Sequence, residues 1–543
     1  MHALTAPLSE LAEIEEIYEE RGREPGMLLL SGCVTSQKTH LMYALGKDYG
    51  HTLIVLSSED KAKKLYEEYR FLNENTSYYP AKDLLFYQAD IHGKQLVKQR
   101  METLQMMMEA KSQVTVITTI DGFMDELPSE AEIKGDILTI SNGEALEFES
   151  LKEKIIKLGY DREAQVDGPG QFAVRGGIID IYPLTEELPI RIEFWGDEVG
   201  SIRTFDVDSQ RSVENLEQIV IYPADDRLGS DRKVSFINYF DPKDTLVFLD
   251  EPARLLEKGR LAENEVEKAR ENRAEEMERT GEMEEAPEFF TTDEIIKFLN
   301  KFCMIGMCAL EMKCKPFFVK KRFGIQAKSV NPYNSSFEML TQDLKRLKRN
   351  GYRAVLISGS RTRAKRLAED LRDYDLSSFY SEDQEREVNP GEIMVCYGHI
   401  EVGYEYPMIK FIVISESDIF GKTKKKKKRK SYDGQKISSF SDLKPGDYVV
   451  HENHGLGIYR GIEKIEVDKV TKDYMKISYA DGGNLYILAT QLDQIQKYAS
   501  ADAKKPKLNK LGGQEWHRTK SKVKTAVWQI AKDLVELYAV RQS

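Results

Sequence analysis

Residues 27–39 read MLLLSGCVTSQKT: a short apolar run, a turn that opens at Gly32, and a polar stretch that closes on Lys38 and Thr39. Apolar residues in an unbroken run, stopped by glycine and followed by a helical pattern, specify a buried strand feeding a helix. The same alternation extends outward on both sides. LAEIEEIYEE (residues 11–20) and LVKQRMETLQMMMEA (96–110) have helical spacing, whereas TLIVLSS (52–58) and QVTVITT (113–119) are strands. Strands alternating with helices imply a parallel sheet, so residues 1–125 are expected to form an α/β domain.

Gly32 to Thr39 fits the phosphate-loop pattern G-x-x-x-x-G-K-[ST] at every fixed position but one, because Gln37 stands at the second glycine. In a working loop that glycine lets backbone N–H groups turn onto phosphate, the lysine reaches the β- and γ-phosphates, and the threonine holds magnesium. Gln37 puts a Cβ where the backbone must take an unusual conformation. Asp250 and Glu251 end the apolar strand TLVFLDEP (245–252) in the manner of a metal-and-water carboxylate pair, although Pro252, Ala253 and Arg254 follow. Gly32, Lys38, Thr39, Asp250 and Glu251 are therefore a candidate degenerate nucleotide site, read as a vestigial ATPase that retains anion affinity without efficient hydrolysis.

The remaining texture indicates several domains. FESLKEKIIKLGY (148–160) is a helix, and QFAVRGGIIDIYP (171–183) and IRIEFWGDEV (190–199) are alternating strands, together a small α+β insert. A charged helix is expected over residues 253–285, and a further α/β unit without a complete phosphate loop over 335–421. Short strands broken by Gly, Pro and Asp-Gly turns over 442–492 indicate a small β-barrel. Beyond residue 506 the pattern is helical, with Val523, Val527, Ile530, Leu534 and Leu537 on one stripe.

A net charge of −12 opposes nucleic-acid binding by the whole surface, since phosphate neutralisation needs clustered cations. One such cluster exists: residues 422–430 are basic except for Thr423, and read as an extended, solvated linker. No apolar run approaches the ~20 residues that span a bilayer, and the acidic first twenty residues do not resemble a signal peptide, so a cytoplasmic protein without membrane contact is expected. The five cysteines lack Cys-x-x-Cys spacing and are read as free thiols. His451 and His454, three apart on a predicted strand and turn, lack the helical spacing of a metal pair; they are read as turn contacts and no metal is expected.

GQFAVRGGIIDIYP (170–183) followed by RIEFWGDEVGSIRTFDVDSQRS (191–212) resembles the UvrA-binding domain of UvrB and of the transcription-repair coupling factors. The resemblance implies that Arg162, Phe172 and Arg175 contact UvrA, with Ala173 standing where UvrB has a second arginine. UvrB departs from this sequence, since its phosphate loop is intact and helicase motifs follow. Residues 442–461 and 474–492 resemble the RNA-polymerase-interacting domain shared by coupling factors and CarD-type regulators, and 508–542 resembles the helix before the coupling factor's translocase motor. In that family a barrel strand pairs with the edge of the polymerase β subunit. The matching residues are Met475, Lys476 and Ile477, with core as the alternative for whichever face points inward.

The resemblance thus implies a multidomain α/β protein. A UvrB-like, degenerate RecA-type module occupies 1–125 and 213–330, with a UvrA-binding α+β insert over 126–212. A second small α/β domain (331–421), the basic linker (422–439), a Tudor/CarD-like β-barrel (440–500) and a C-terminal helix (501–543) follow. The expected function is an adaptor for transcription-coupled nucleotide-excision repair that docks on stalled RNA polymerase through the β subunit and recruits UvrA. The motor that uses ATP and Mg and makes most DNA contacts in the family is not in this sequence, so the chain is expected to carry no cofactor and no catalytic residue. A CarD-like transcription regulator with an inert extension and a UvrB-like helicase are the alternative readings.

Overall fold

The computed structural model describes residues 2–82, 94–225, 233–280, 288–421, 435–436, 443–467, 470–480, 482–498, 506–511, 515–516 and 518–519. The basic run and the apolar stripe from Val523 to Leu537 lie outside them. The chain divides into two compact units, one of residues 1–85, 99–135 and 229–426, the other of 86–98, 136–228 and 427–543.

The first unit is built on a seven-stranded sheet in the order Val319–Gly324, Gly26–Ser31, Cys303–Cys308, Thr245–Asp250, His51–Leu56, Val114–Thr119, Thr76–Tyr78. Every pairing in it is parallel. A parallel sheet is covered on both faces, which is why its strands read as continuous apolar runs; Thr245–Asp250 and Val114–Thr119 are buried at every position. Two strands from the second segment lie between Gly26–Ser31 and His51–Leu56. The two sequence segments expected on either side of the insert therefore complete a single sheet.

A second sheet in this unit runs Lys328–Ser329, Tyr404–Tyr406, Phe411–Ser415, Arg353–Ser358, Glu392–Tyr397, Ser377–Tyr380, the last four parallel. Its strands split their side chains between two cores with period two. Ala354 and Leu356 meet Leu340, Leu344 and Leu347 of the helix Phe337–Arg349. Val355 and Ile357 join the core of the seven-stranded sheet with Tyr404, Tyr406 and Phe411. The small α/β domain thus buries one face against the phosphate-loop domain.

In the second unit, strands Ser212–Leu216, Val199–Phe205, Ile190–Phe194, Ile178–Ile181, Gln171–Arg175 and Asp161–Arg162 form one sheet in that order. Leu138–Ser141 pairs with Gln218–Ile221, so the insert runs beyond residue 212, where the resemblance placed its end. The carboxy-terminal strands form a six-stranded antiparallel sheet in the order Gln435–Lys436, Ile495–Lys497, Tyr448–His451, Gly455–Val467, Val470–Ser478, Asn484–Leu488. Its core is Val449, Tyr459, Met475, Ile477, Tyr479 and Ile487. Among the described residues no pairing joins its two ends into a ring.

Candidate functional site

The degenerate phosphate loop lies at the carboxyl end of Gly26–Ser31, where α/β sheets place ligands. Gly32 keeps its structural role: its φ is +81°, its N–H donates to the Ala309 carbonyl at 3.1 Å, and a Cβ would stand 2.3 Å from the Ile325 carbonyl oxygen. The next residues depart from the expectation. The helix Thr35–Gly46 begins at Thr35, so Gln37 sits in its first turn rather than in a loop. Its Cβ is not in an unusual backbone conformation, because Gln37 is absent from the positive-φ residues. The side chain is fully buried: Oε1 accepts the Val34 N–H at 3.0 Å and Nε2 donates to the Tyr406 hydroxyl at 3.1 Å. Residues that would wrap a phosphate have become helix.

The structure does bring Lys38, Asp250 and Glu251 together. Lys38 Nζ lies 2.7 Å from Asp250 Oδ1 and 2.7 Å from Glu251 Oε1, and Glu251 Oε1 also accepts the Ala309 N–H at 3.0 Å. Burial works against the Lys38 ammonium, but the two carboxylates outweigh it and its pKa lies above the ordinary value. Thr39 is buried beside a cavity of about 520 Å³. Lys38, Lys61, Lys64 and Arg254 line that cavity together with Glu68, Asp250, Glu251 and Glu401. Four cations stand against four carboxyl groups there, so a polyanion entering the cavity meets like charge as well as opposite.

Glu68 Oε2 accepts from Ser36 Oγ at 3.1 Å and from the Glu401 N–H at 3.2 Å. Burial pushes its pKa up to about 7, against the lowering influence of Thr39 and of these two donors. A carboxyl whose folded pKa is raised holds its proton more tightly in the native state, so stability is lost as pH rises from the unfolded carboxylate range towards 7. Glu68→Gln keeps an acceptor oxygen and removes the ionisation. In urea titrations the variant is expected to gain on the wild type by up to about 3 kcal/mol between roughly pH 5 and pH 8. Parallel stability curves over that range would show that Glu68 titrates like an exposed carboxylate.

On the insert's sheet the three expected UvrA contacts separate. Arg162 is exposed on the edge strand, and Arg175 is exposed where Gln171–Arg175 turns into the next strand. Phe172 is wholly buried, which corrects its assignment to a contact surface. Residues three apart in a strand face opposite sides, so Phe172 enters the core when Arg175 faces out. The exposed aromatic is Trp195, with 79% of its surface accessible. It follows Ile190–Phe194, whose Phe194 N–H donates to Gly177 at 2.8 Å, so Trp195 and Arg175 occupy the same end of neighbouring hairpins. The signal in the sequence was Phe-Trp-Gly, an aromatic out of phase with the strand and just before the turn at Gly196, whose φ is +66°.

The expected polymerase contacts need a similar correction. Met475 and Ile477 are fully buried, and Val470–Ser478 is hydrogen-bonded on both sides over residues 474–478. A strand without an open edge cannot accept another, and its inward residues are core. Lys476 points outward, 2.9 Å from Glu463. An open edge beside these residues lies on the preceding strand: Gly455–Val467 pairs with Tyr448–His451 only across residues 455–458. Residues 460–467 have a strand partner on one side only among the described residues, and Ile462, 43% exposed, projects from them. A strand of thirteen residues beside one of four is the mismatch that exposes this edge.

His451 accepts the Asn453 N–H on Nδ1 at 3.0 Å, the turn contact expected of it. His454 Nε2 lies 3.0 Å from Asp167 Oδ2, a residue of the insert that no local reading could place there.

Comparison with known families agrees with this division. Residues 138–226 match the UvrB interaction domain, and residues 443–499 match the CarD-like/TRCF RID domain. The transcription-repair-coupling factor of Bacillus subtilis is 30% identical over 95% of this chain and 49% of its own length. That of Staphylococcus haemolyticus is 29% identical, covering 98% of this chain and 50% of its own length. A Staphylococcus aureus counterpart is 27% identical, with 100% and 51% covered. The chain spans about half the length of the curated relatives it matches. No helix among the described residues is long and apolar enough to cross a membrane.

Proposed function

From the premise that this chain corresponds to an amino-terminal portion of the transcription-repair-coupling factors, we propose that it is the docking portion of a transcription-coupled nucleotide-excision repair factor, working in the cytoplasm. It binds RNA polymerase through the carboxy-terminal sheet and UvrA through the insert, and it turns over no nucleotide itself. The observation that carries this reading is the presence of both domains on one chain beside a phosphate loop whose lysine is already neutralised by Asp250 and Glu251. ATP, magnesium and movement along DNA belong, on this reading, to the remainder of the longer relatives.

The polymerase partner is the β subunit, which adds a strand to the edge at residues 460–467. Main-chain hydrogen bonds give such a contact its affinity, and Ile462 supplies the side chain for a pocket. UvrA is met at the hairpin ends by Arg175 and Trp195, two of the three residue types that most often anchor interfaces.

The test is capture of purified UvrA and purified RNA polymerase by the immobilised chain, with steady-state ATPase measured in the presence of DNA. Both partners should be retained and hydrolysis should stay at background. Arg175→Ala combined with Trp195→Ala should weaken UvrA at least roughly 30-fold and leave polymerase unaffected. A chain that holds polymerase and never UvrA would instead act as a CarD-like regulator, and turnover at the rate of an ordinary helicase would overturn the reading.

A further inference from the structure

The cluster that the docking function leaves unused lies inside the second unit, where the carboxy-terminal sheet meets the insert. Asp167, His451 and His454 each bring one ligating atom to within 4.8 Å of those of the other two. The two imidazole rings are 4.7 Å apart, and His454 Nε2 is 3.0 Å from Asp167 Oδ2. The site is held rigidly from both sides. Asn453 Nδ2 donates to the Asp167 carbonyl at 2.9 Å, and its backbone N–H fixes the His451 ring through Nδ1. His451 is 1% exposed, whereas His454 and Asp167 reach solvent. A cavity of about 320 Å³ reaches the cluster at Asp167, lined also by Lys98, Asp208, Glu452 and Asn453, and gives room for water.

We propose that Asp167, His451 and His454 bind one divalent transition-metal ion of the zinc class, and that the ion clips the carboxy-terminal sheet to the insert. Two imidazoles and one carboxylate are a ligand set that zinc accepts, with water completing the coordination. Asp167 itself supplies the negative charge that favours a cation at this point, because burial, and then the charges of Asp167 and Asp161, push the Glu163 carboxyl up to about 8, and Lys472 pairs with Asp161. Ligation through Nδ1 displaces the Asn453 N–H that His451 now accepts, and ligation through Nε2 moves the ring proton to Nδ1 at the cost of that same bond, a loss set against two metal–nitrogen bonds. The consequence is mechanical: the surface that would meet polymerase and the one that would meet UvrA become fixed to each other when the ion is bound.

The experiment uses the full chain, stripped with chelator and titrated with Co²⁺ as a spectroscopic stand-in for zinc. One equivalent should produce visible d–d absorption that Zn²⁺ then displaces, and Zn²⁺ should raise the unfolding temperature. In His454→Ala and in Asp167→Asn the band should vanish, and Zn²⁺ affinity should fall by more than the roughly 10- to 100-fold that loss of an outer-sphere partner costs. Circular dichroism unchanged from the wild type certifies that both variants fold. Absence of a stoichiometric band in the wild type overturns the proposal. So does a band of equal strength in the two variants, which would place the ion on other ligands such as the free cysteines.

Discussion

Gln37→Gly, the single change that completes the phosphate-loop pattern, is expected to leave the chain without ATP turnover and to cost it roughly 2–4 kcal/mol of stability. Glycine in a helix is about 1 kcal/mol worse than alanine, and somewhat less than that worse than glutamine. The larger part of the loss comes from the buried amide, whose removal leaves the Val34 N–H without its 3.0 Å partner, at about 1–3 kcal/mol for a group left unsatisfied, and takes from the Tyr406 hydroxyl one of its two bonds, the other being to His40 Nδ1 at 2.8 Å. Nothing is gained in exchange. The helix still starts at Thr35, and Lys38 still bridges Asp250 and Glu251, so a triphosphate would have to break two ion pairs while facing Glu68 and Glu401 across the same cavity. Urea unfolding, ATP calorimetry and DNA-stimulated hydrolysis measure the three parts of this expectation. Hydrolysis restored by the glycine would mean that one missing residue, and not a rebuilt site, had silenced the loop.

How much of this was open to a reader of the sequence depends on the distance over which each feature is decided. The parallel sheet was legible because burial on both faces writes an uninterrupted apolar run into Met27 to Leu30 and into Leu246 to Leu249. Lys38, Asp250 and Glu251 were assigned to one site, but the ion pairs between them were not foreseen, since it takes the fold to set Lys38 against the two carboxylates. The early start of the helix was hidden for the same reason: what stabilises Gln37 there is Tyr406, 369 residues away. Phe172 is a different kind of miss. Strand periodicity alone puts it on the face opposite Arg175, so the family pattern was followed where the local geometry already opposed it. Asp167 reaches His454 across 287 positions, and a search for metal ligands confined to sequence spacing does not see it.

Two arginine substitutions on adjacent strands should separate docking from folding. Met475→Arg places a charge among Val449, Tyr459, Ile477 and Ile487 with no partner for it, and an unpaired buried charge costs more than about 4 kcal/mol. The carboxy-terminal sheet should then unfold, and polymerase binding should vanish because its scaffold is gone. Ile462→Arg changes a side chain that is already 43% exposed, so stability should move by no more than about 0.5 kcal/mol. Polymerase affinity should nevertheless fall at least roughly 30-fold, since the apolar anchor is replaced while the edge and its hydrogen-bonding groups persist. Retention of UvrA by Ile462→Arg provides the internal control. If Ile462→Arg bound polymerase like the wild type, the open edge at residues 460–467 would not be where the partner strand adds, and the longer of the sheet's two outer edges, Asn484–Leu488, would be the next docking strand to test.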